Sequence, residues 1–208
     1  MKPLTNLTSV IAPLLRDNVD TDCIIPAEFM RSLTTDPALG LFARWRYRSD
    51  GSEDPAFVLN DPRFRGAQIL LAGANFGCGS SRENAVWALQ RFGIRCVIAR
   101  GFSDIFYGNC FKNGMLPVKL PNAAHRLVVD EVQARDACVA TIDVRRRAIV
   151  LPSGSAIGFE LDLRRQSQLV SGEDEIAATL KRQATIDTFR AEHARGAPWL
   201  YPNLSGDT

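Results

Sequence analysis

Lysine is scarce in this sequence. Lys2, Lys112, Lys119 and Lys181 are the only four among 25 basic residues, and His125 and His193 are the only histidines. The 23 acidic residues leave a net charge of +2. That is far from the basic excess with which a sequence-independent nucleic-acid binder neutralises phosphates, so nucleic acid is excluded as the expected partner. No apolar run approaches the ~18 residues of a membrane span. The opening Met-Lys-Pro-Leu-Thr-Asn lacks the apolar core of a signal peptide, so neither membrane nor export is expected. The five cysteines (Cys23, Cys78, Cys96, Cys110, Cys138) are odd in number and widely spaced, with no C-x-x-C. Neither histidine has a cysteine near it in sequence. A disulfide framework and a metal site within this chain are therefore not expected, and the reducing cytoplasm is the expected location.

What remains is an ordinary soluble composition. The 208 residues are 46% hydrophobic and 23% charged, enough for one domain that buries about 70% of its unfolded surface. Val10-Ile11-Ala12-Pro13-Leu14-Leu15 reads as an opening strand that Pro13 demotes towards an edge. Residues 17–22 form a polar turn cluster, and residues 27–33 and 38–48 read as short helices. Residues 49–66, rich in Gly, Pro and Asp, read as a surface insertion within a single domain spanning 1–208. From residue 68 the pattern sharpens. Gln68-Ile69-Leu70-Leu71-Ala72 is a continuous apolar run of strand length, as is Cys96-Val97-Ile98-Ala99, and Met115-Leu116-Pro117-Val118 gives a third. Between the first two, Ala85, Ala88, Leu89 and Phe92 mark one helical face closed by Gly93. Residues 102–112 give another helix. This β-α-β-α-β order with tight connections predicts α/β architecture with parallel strands. Beyond it come an amphipathic helix over 122–135, a hairpin over 138–151 with Arg145-Arg146-Arg147 at a solvated turn, a strand over 156–160 and a helical tail over 174–190.

The chemistry is concentrated in Gly77-Cys78-Gly79-Ser80-Ser81-Arg82-Glu83-Asn84, between a buried strand and the start of a helix. Helix starts leave backbone N–H groups unpaired and carry a positive dipole end, so an anion can settle there. Two hydroxyls and a guanidinium able to grip a carboxylate with two bonds are added at the same place. The loop is neither common nucleotide cradle. Arg82 occupies the third glycine position of G-x-G-x-x-G, no acidic residue follows about 20 positions on, and no P-loop lysine is present. Ser80 and Glu83 also have the S-x-x-E spacing of a capping box, which needs no chemistry to explain it. Cys78 reads as a small residue in a tight turn.

At these residues the chain resembles the small subunits of the isopropylmalate isomerases, relatives of the swivelling domain of aconitase. The resemblance is carried by Asp17-Asn18-Val19-Asp20-Thr21-Asp22-Cys23-Ile24-Ile25-Pro26, by Asn75-Phe76-Gly77-Cys78-Gly79-Ser80-Ser81-Arg82-Glu83, and by Phe102-Ser103-Asp104-Ile105-Phe106-Tyr107-Gly108-Asn109 with Leu116-Pro117-Val118. Phe57-Val58-Leu59-Asn60 and the tail from Leu180 to Pro198 extend it over nearly the whole chain. It implies a three-layer β/β/α swivelling domain and a heterodimer with a large subunit that carries a [4Fe–4S] cluster on its own cysteines. The pair would dehydrate 2-isopropylmalate to isopropylmaleate and rehydrate it to 3-isopropylmalate, in leucine biosynthesis. The resemblance makes Ser80 the catalytic base, as an alkoxide, with Ser81 and Arg82 on a substrate carboxylate. It places Asp22 at an assisting acidic position, although Asp22 also suits an Asx-type turn. Substrate choice falls to the segment after Ile24-Ile25-Pro26, where Phe29, Met30 and Leu33 offer an apolar patch and Arg31 a cation.

The chain departs from this pattern at two places. Asn84 stands where the family commonly has histidine, and Gly73-Ala74 stand where a charged pair is usual. With Arg31, these keep open a related dehydratase acting on homoaconitate-like or citraconate/2-methylmalate substrates. A different class, a non-catalytic carboxylate- or phosphate-binding regulatory module, would use the same helix start. Of the remaining conspicuous residues, Trp45, Trp87 and Trp199 are expected in packing or interfaces, and His125 on a helix surface.

Overall fold

The computed structural model describes residues 1–30, 36–80 and 82–201. One compact unit spans Met1–Gly172 and another begins at Glu173. The first contains a seven-stranded mixed sheet in the order β4-β3-β2-β1-β5-β6-β7. Its strands are β1 (Asn6–Leu14), β2 (Ile69–Ala72), β3 (Cys96–Ala99), β4 (Leu116–Lys119), β5 (Val139–Asp143), β6 (Ala148–Val150) and β7 (Ala156–Gly158). β1 to β4 run parallel, and β5 to β7 continue antiparallel from the other side of β1. The predicted β-α-β-α-β core is present. Its helices are α4 (Asn84–Phe92), closed by Gly93 at φ 115°, and α5 (Asp104–Lys112).

Every residue of β2 and β3 is buried, and alternate residues enter two cores. Leu70, Ala72, Val97 and Ala99 face one core with Ala85, Ala88 and Leu89 of α4. Ile69, Leu71, Cys96 and Ile98 face the other. This second core joins Leu116 and Val118 of β4 to Ile142, Ile149 and Ile157 of the antiparallel arm. Strands at opposite ends of a flat sheet could not share one core, so the sheet curls and its arm covers the parallel half. The layers are therefore β/β/α. Helices α6 (Asn122–Gln133) and α7 (Leu163–Ser171) supply Val128, Val132 and Leu169 to that second core.

Pro13 does not put β1 at an edge, because the strand is central. The N–H of Ile11 donates to Cys138 on the β5 side. Two residues on, Pro13 turns its missing N–H the same way, beyond the β5 pairing that covers only Asn6 to Val10. No ladder bond is lost. Pro117 lies on β4, which is an edge strand.

Between β1 and β2 the described residues include the one-turn helices α1 (Thr21–Ile24), α2 (Pro37–Gly40) and α3 (Ala43–Arg46), with 3₁₀ turns at Ala27–Met30, Val58–Asn60 and Pro62–Phe64. The 49–66 segment is only partly a surface excursion, since it sends Phe57, Leu59 and Phe64 into the first core. His125 is not a surface residue. It is buried, with Nε2 2.7 Å from the carbonyl oxygen of Ala72 at the end of β2. The second unit holds helices α8 (Glu175–Leu180), capped by Asp174, and α9 (Gln183–Gly196), with Trp199 exposed. Among the described residues no helix is long and apolar enough to cross a membrane.

Candidate active site

Two loops leave the carboxyl ends of β1 and β2 side by side, where parallel sheets place their ligands. They are joined along their length. Gly73 N–H donates to Arg16 (3.0 Å), Asn18 N–H to Ala74 (2.9 Å), Gly77 N–H to Val19 (2.7 Å) and Thr21 N–H to Cys78 (2.9 Å). Asn18 and Asn75 both take left-handed φ of 54°, a conformation asparagine tolerates better than most residues, and their side chains meet at 2.9 Å. The Asp17 carboxylate accepts from the Ala74 N–H at 2.7 Å and from Arg100 at 2.6 and 2.7 Å. Gly73 makes room for this. A Cβ there would lie 2.1 Å from Asp17 Oδ1 and 2.5 Å from the Arg16 carbonyl oxygen. Gly73 thus accommodates the Asp17 carboxylate, which Ala74 holds through its N–H.

The Arg100 hydrogen bond, more than any other cause, holds the Asp17 carboxyl below its ordinary value. Its stabilisation is present above the ordinary carboxylate range, near ~4, and is lost as pH falls through the lowered folded value. Asp17→Asn should therefore cost stability at neutral pH. The loss should be at most ~1 kcal/mol because the Asp17 side chain is half exposed. The gap should close in acid. Urea midpoints of the two proteins at about pH 7 and about pH 3 measure this, and an equal gap at both would remove the charge from the explanation.

The second loop turns at Gly77 (φ 73°) and Gly79 (φ 85°). The Ser103 hydroxyl donates to the Gly77 carbonyl at 2.5 Å, and the Phe106 ring packs beneath. This brings Ser80 to the surface. Its carbonyl accepts from the buried Thr21 hydroxyl at 3.1 Å. Its own hydroxyl makes no hydrogen bond to another described residue. One residue past Thr21, Asp22 pairs with Arg82 Nη1. Sixty positions of sequence separate these partners. Asp20, not Asp22, satisfies the local backbone: its Oδ1 accepts from Cys23 N–H at 2.6 Å and caps α1. That leaves the Asp22 carboxylate facing the arginine.

The Ser80–Glu83 capping box does not form. Helix α4 begins at Asn84, so Glu83 is itself the N-cap and caps nothing with its side chain. Its carboxylate accepts from Asn113 Nδ2 at 2.8 Å, and Asn113 Oδ1 accepts from the Trp87 indole at 3.0 Å. The Ser80 hydroxyl is thereby free of the bland role its spacing offered. Thr21, Ser103 and Asp17 are supports that sequence reading missed. Only the D-x-D spacing around Thr21 hinted at one of them.

Phe29 and Met30 lie on the 3₁₀ turn after Pro26, half-buried against the first core. Phe29 also lines a hollow of about 490 Å³ with Glu28, Leu39 and Tyr47. Arg31, Leu33 and Ser81 lie outside the described residues. Trp45 packs on Phe42 at 5.7 Å. Burial pushes the Cys23 and Cys78 thiols up, so neither is a thiolate nucleophile at neutral pH. Among the described residues no three of His, Cys, Asp or Glu converge on a point where a metal could sit.

Residues 1–123 match the aconitase C-terminal domain family. The chain is 48% identical over 201 residues to the 3-isopropylmalate dehydratase small subunit of Paramagnetospirillum magneticum, covering 96% of this chain and 100% of that protein. It is 48% identical over 205 residues to that of Cupriavidus necator, covering 97% and 99%. Among solved structures, a 3-isopropylmalate dehydratase chain from Methanocaldococcus jannaschii superposes with a TM-score of 0.63 at 27% identity, over 88% of this chain and 99% of that one. The curled β/β/α layering, the paired loops and near-complete coverage agree: this chain belongs to the family of 3-isopropylmalate dehydratase small subunits.

Proposed function

We propose that the chain is the small subunit of a hydro-lyase that converts 2-isopropylmalate to 3-isopropylmalate through isopropylmaleate, and that Ser80 is its proton-abstracting base. The observation that carries this is the exposed Ser80 hydroxyl, on a loop tied through Thr21 to the segment bearing Asp22 and flanked by Arg82. In dehydration Ser80 takes the proton from the carbon next to the one carrying hydroxyl. The C–H electron pair becomes the double bond, and the hydroxyl leaves as water with a second proton drawn from solvent, which rehydration gives back. Rehydration with the hydroxyl on the other carbon gives the isomer, and Ser80 returns its proton.

Arg82 and Ser81 hold a substrate carboxylate. Asp22 engages one guanidinium nitrogen, which orients the group and leaves its other donors for a planar carboxylate. A serine hydroxyl ionises only where positive charge and donors stabilise its anion. In the lone chain Asp22 offsets the Arg82 charge, so Ser80 is a neutral hydroxyl. Substrate and partner must complete the field. Among the described residues the cysteines form no ligand group with histidines or carboxylates; the [4Fe–4S] cluster is assigned to the large subunit on the family resemblance. When bound there it supplies the Lewis acid that the departing hydroxyl needs. The exposed parts of Phe29 and Met30 contact the substrate's alkyl group, with Leu33 and Arg31 further along the same segment. Each CH₂ buried there gives only ~0.8 kcal/mol, so this selection is modest.

Reconstitution tests the reading. The chain alone should leave 2-isopropylmalate unchanged, and addition of the cluster-bearing large subunit should give turnover that favours isopropylmalate over homoaconitate and citraconate. Turnover by the lone chain, or a reconstituted pair that prefers either of the other acids, would overturn it. Engagement of Arg82 by Asp22 also weighs against a free-standing carboxylate sensor, whose arginine would stand open.

A further inference from the structure

We propose that the cleft between the ends of β3 and β4 and the β5–β6 turn is a second anion site. It would take a small molecule with several adjacent anionic oxygens, a phosphate ester or a polycarboxylate. The cavity measures about 860 Å³, within the usual range for small-ligand sites. Four cations line it: Arg100 just past β3, Lys119 at the end of β4, and Arg146 and Arg147 on the hairpin turn. Among the described residues of the lining, Glu160 is the one carboxylate. Arg100 and Arg146 are balanced by Asp17 and Asp143. Lys119 and Arg147 pair with no carboxylate among the described residues.

Three further features favour an anion there. The cleft includes Pro121 and Asn122 at the start of the twelve-residue α6, so the positive end of a helix dipole adds to the cations. Tyr107 also lines the wall. Arg147 holds a φ of 54°, where glycine would sit without strain. A bulky cation kept at a turn position that suits glycine, lining a cavity, has a side chain worth that cost. Two of the three residues of the Arg145-Arg146-Arg147 run are thus cleft residues rather than merely solvated ones.

Arg100 is the cleft's link to the paired loops. It reaches Asp17 through one terminal nitrogen, and Asp17 also holds the Ala74 N–H. A ligand oxygen on the remaining Arg100 donors shares the guanidinium with Asp17, so occupancy of the cleft is reported at the Ala74 amide.

The full chain, labelled with nitrogen-15, is titrated with pyrophosphate in one arm and tricarballylate in the other, at about physiological salt. Saturable shifts are expected at the amides of Leu120, Asn122, Arg147 and Ala74 in at least one arm, and the tighter arm identifies the ligand chemistry. The double variant Lys119→Gln/Arg147→Gln should weaken binding about tenfold or more, since it removes both unpaired cations. Glu160→Gln, which keeps all four cations, should tighten it. No saturation in either arm overturns the site. So does an unchanged affinity in the double variant, or shifts confined to residues 80–83.

Discussion

Ser80→Ala is expected to lower turnover by the reconstituted pair about 10²–10⁴-fold, the usual contribution of a positioned proton-transfer group. Assembly with the large subunit should be unchanged. The two effects separate because the two polar parts of Ser80 do different things. Its carbonyl receives the Thr21 hydroxyl and ties the loops together, and alanine keeps that carbonyl. Its exposed hydroxyl supports nothing else among the described residues, so its loss should cost within about 0.5 kcal/mol of stability. The loss should fall on kcat, with KM nearly unchanged, if carboxylate binding rests on Arg82 and Ser81 as proposed. Steady-state kinetics beside a subunit-association measurement read both. Near-normal kcat with intact assembly would remove Ser80 as the base and leave the loop as a binding element only.

Gly77→Ala is expected to destabilise strongly, by ~2–5 kcal/mol. Two costs add. The backbone sits at φ 73°, where an L side chain costs about 1–2 kcal/mol. The new Cβ would also lie 2.2 Å from Phe106 Cγ, an overlap of the kind that costs about 1–3 kcal/mol on forced repacking. The melting temperature should fall by roughly 10 °C, and activity should fall with it, because the turn carries Ser80. Adding Phe106→Ala should relieve the clash but not the backbone strain. The double variant should therefore fall between the single variant and the wild type once the cost of Phe106→Ala measured alone is subtracted. A single-variant loss below about 1 kcal/mol would show that the turn relaxes and that glycine is not required there.

Much of this was legible from local patterns. The apolar runs at 69–72 and 96–99 announced strands buried on both faces, because residues covered by two cores need no polar alternation. The helix ending at Gly93 and the hairpin turn at 145–147 were equally plain, since both depend on residues a few positions apart. Ser80, Arg82 and Asp22 also stand out in the sequence, within motifs of a few residues each. Local reading failed where a residue had two possible partners. Ser80 and Glu83 had capping-box spacing, yet the helix starts too late to use it. Pro13 looked like an edge marker, yet β5 pairs with β1 only up to Val10. His125 looked superficial, yet its ring reaches the Ala72 carbonyl.

The same limit governed the site itself. Asp20 and Asp22 are two residues apart and chemically alike, and nothing nearby says which serves the backbone and which faces an arginine. That is decided by the loop sixty residues on, whose carbonyl groups receive the Thr21 amide and hydroxyl and set Arg82 beside Asp22. Arg100 finds Asp17 across 83 residues in the same way. Local chemistry along the chain dictates which elements form, because hydrogen bonding and burial periodicity act over one or two turns. Which charges meet is set by the folded chain, because Coulomb and hydrogen-bond forces act across a few ångströms of space regardless of how far apart their owners stand in sequence.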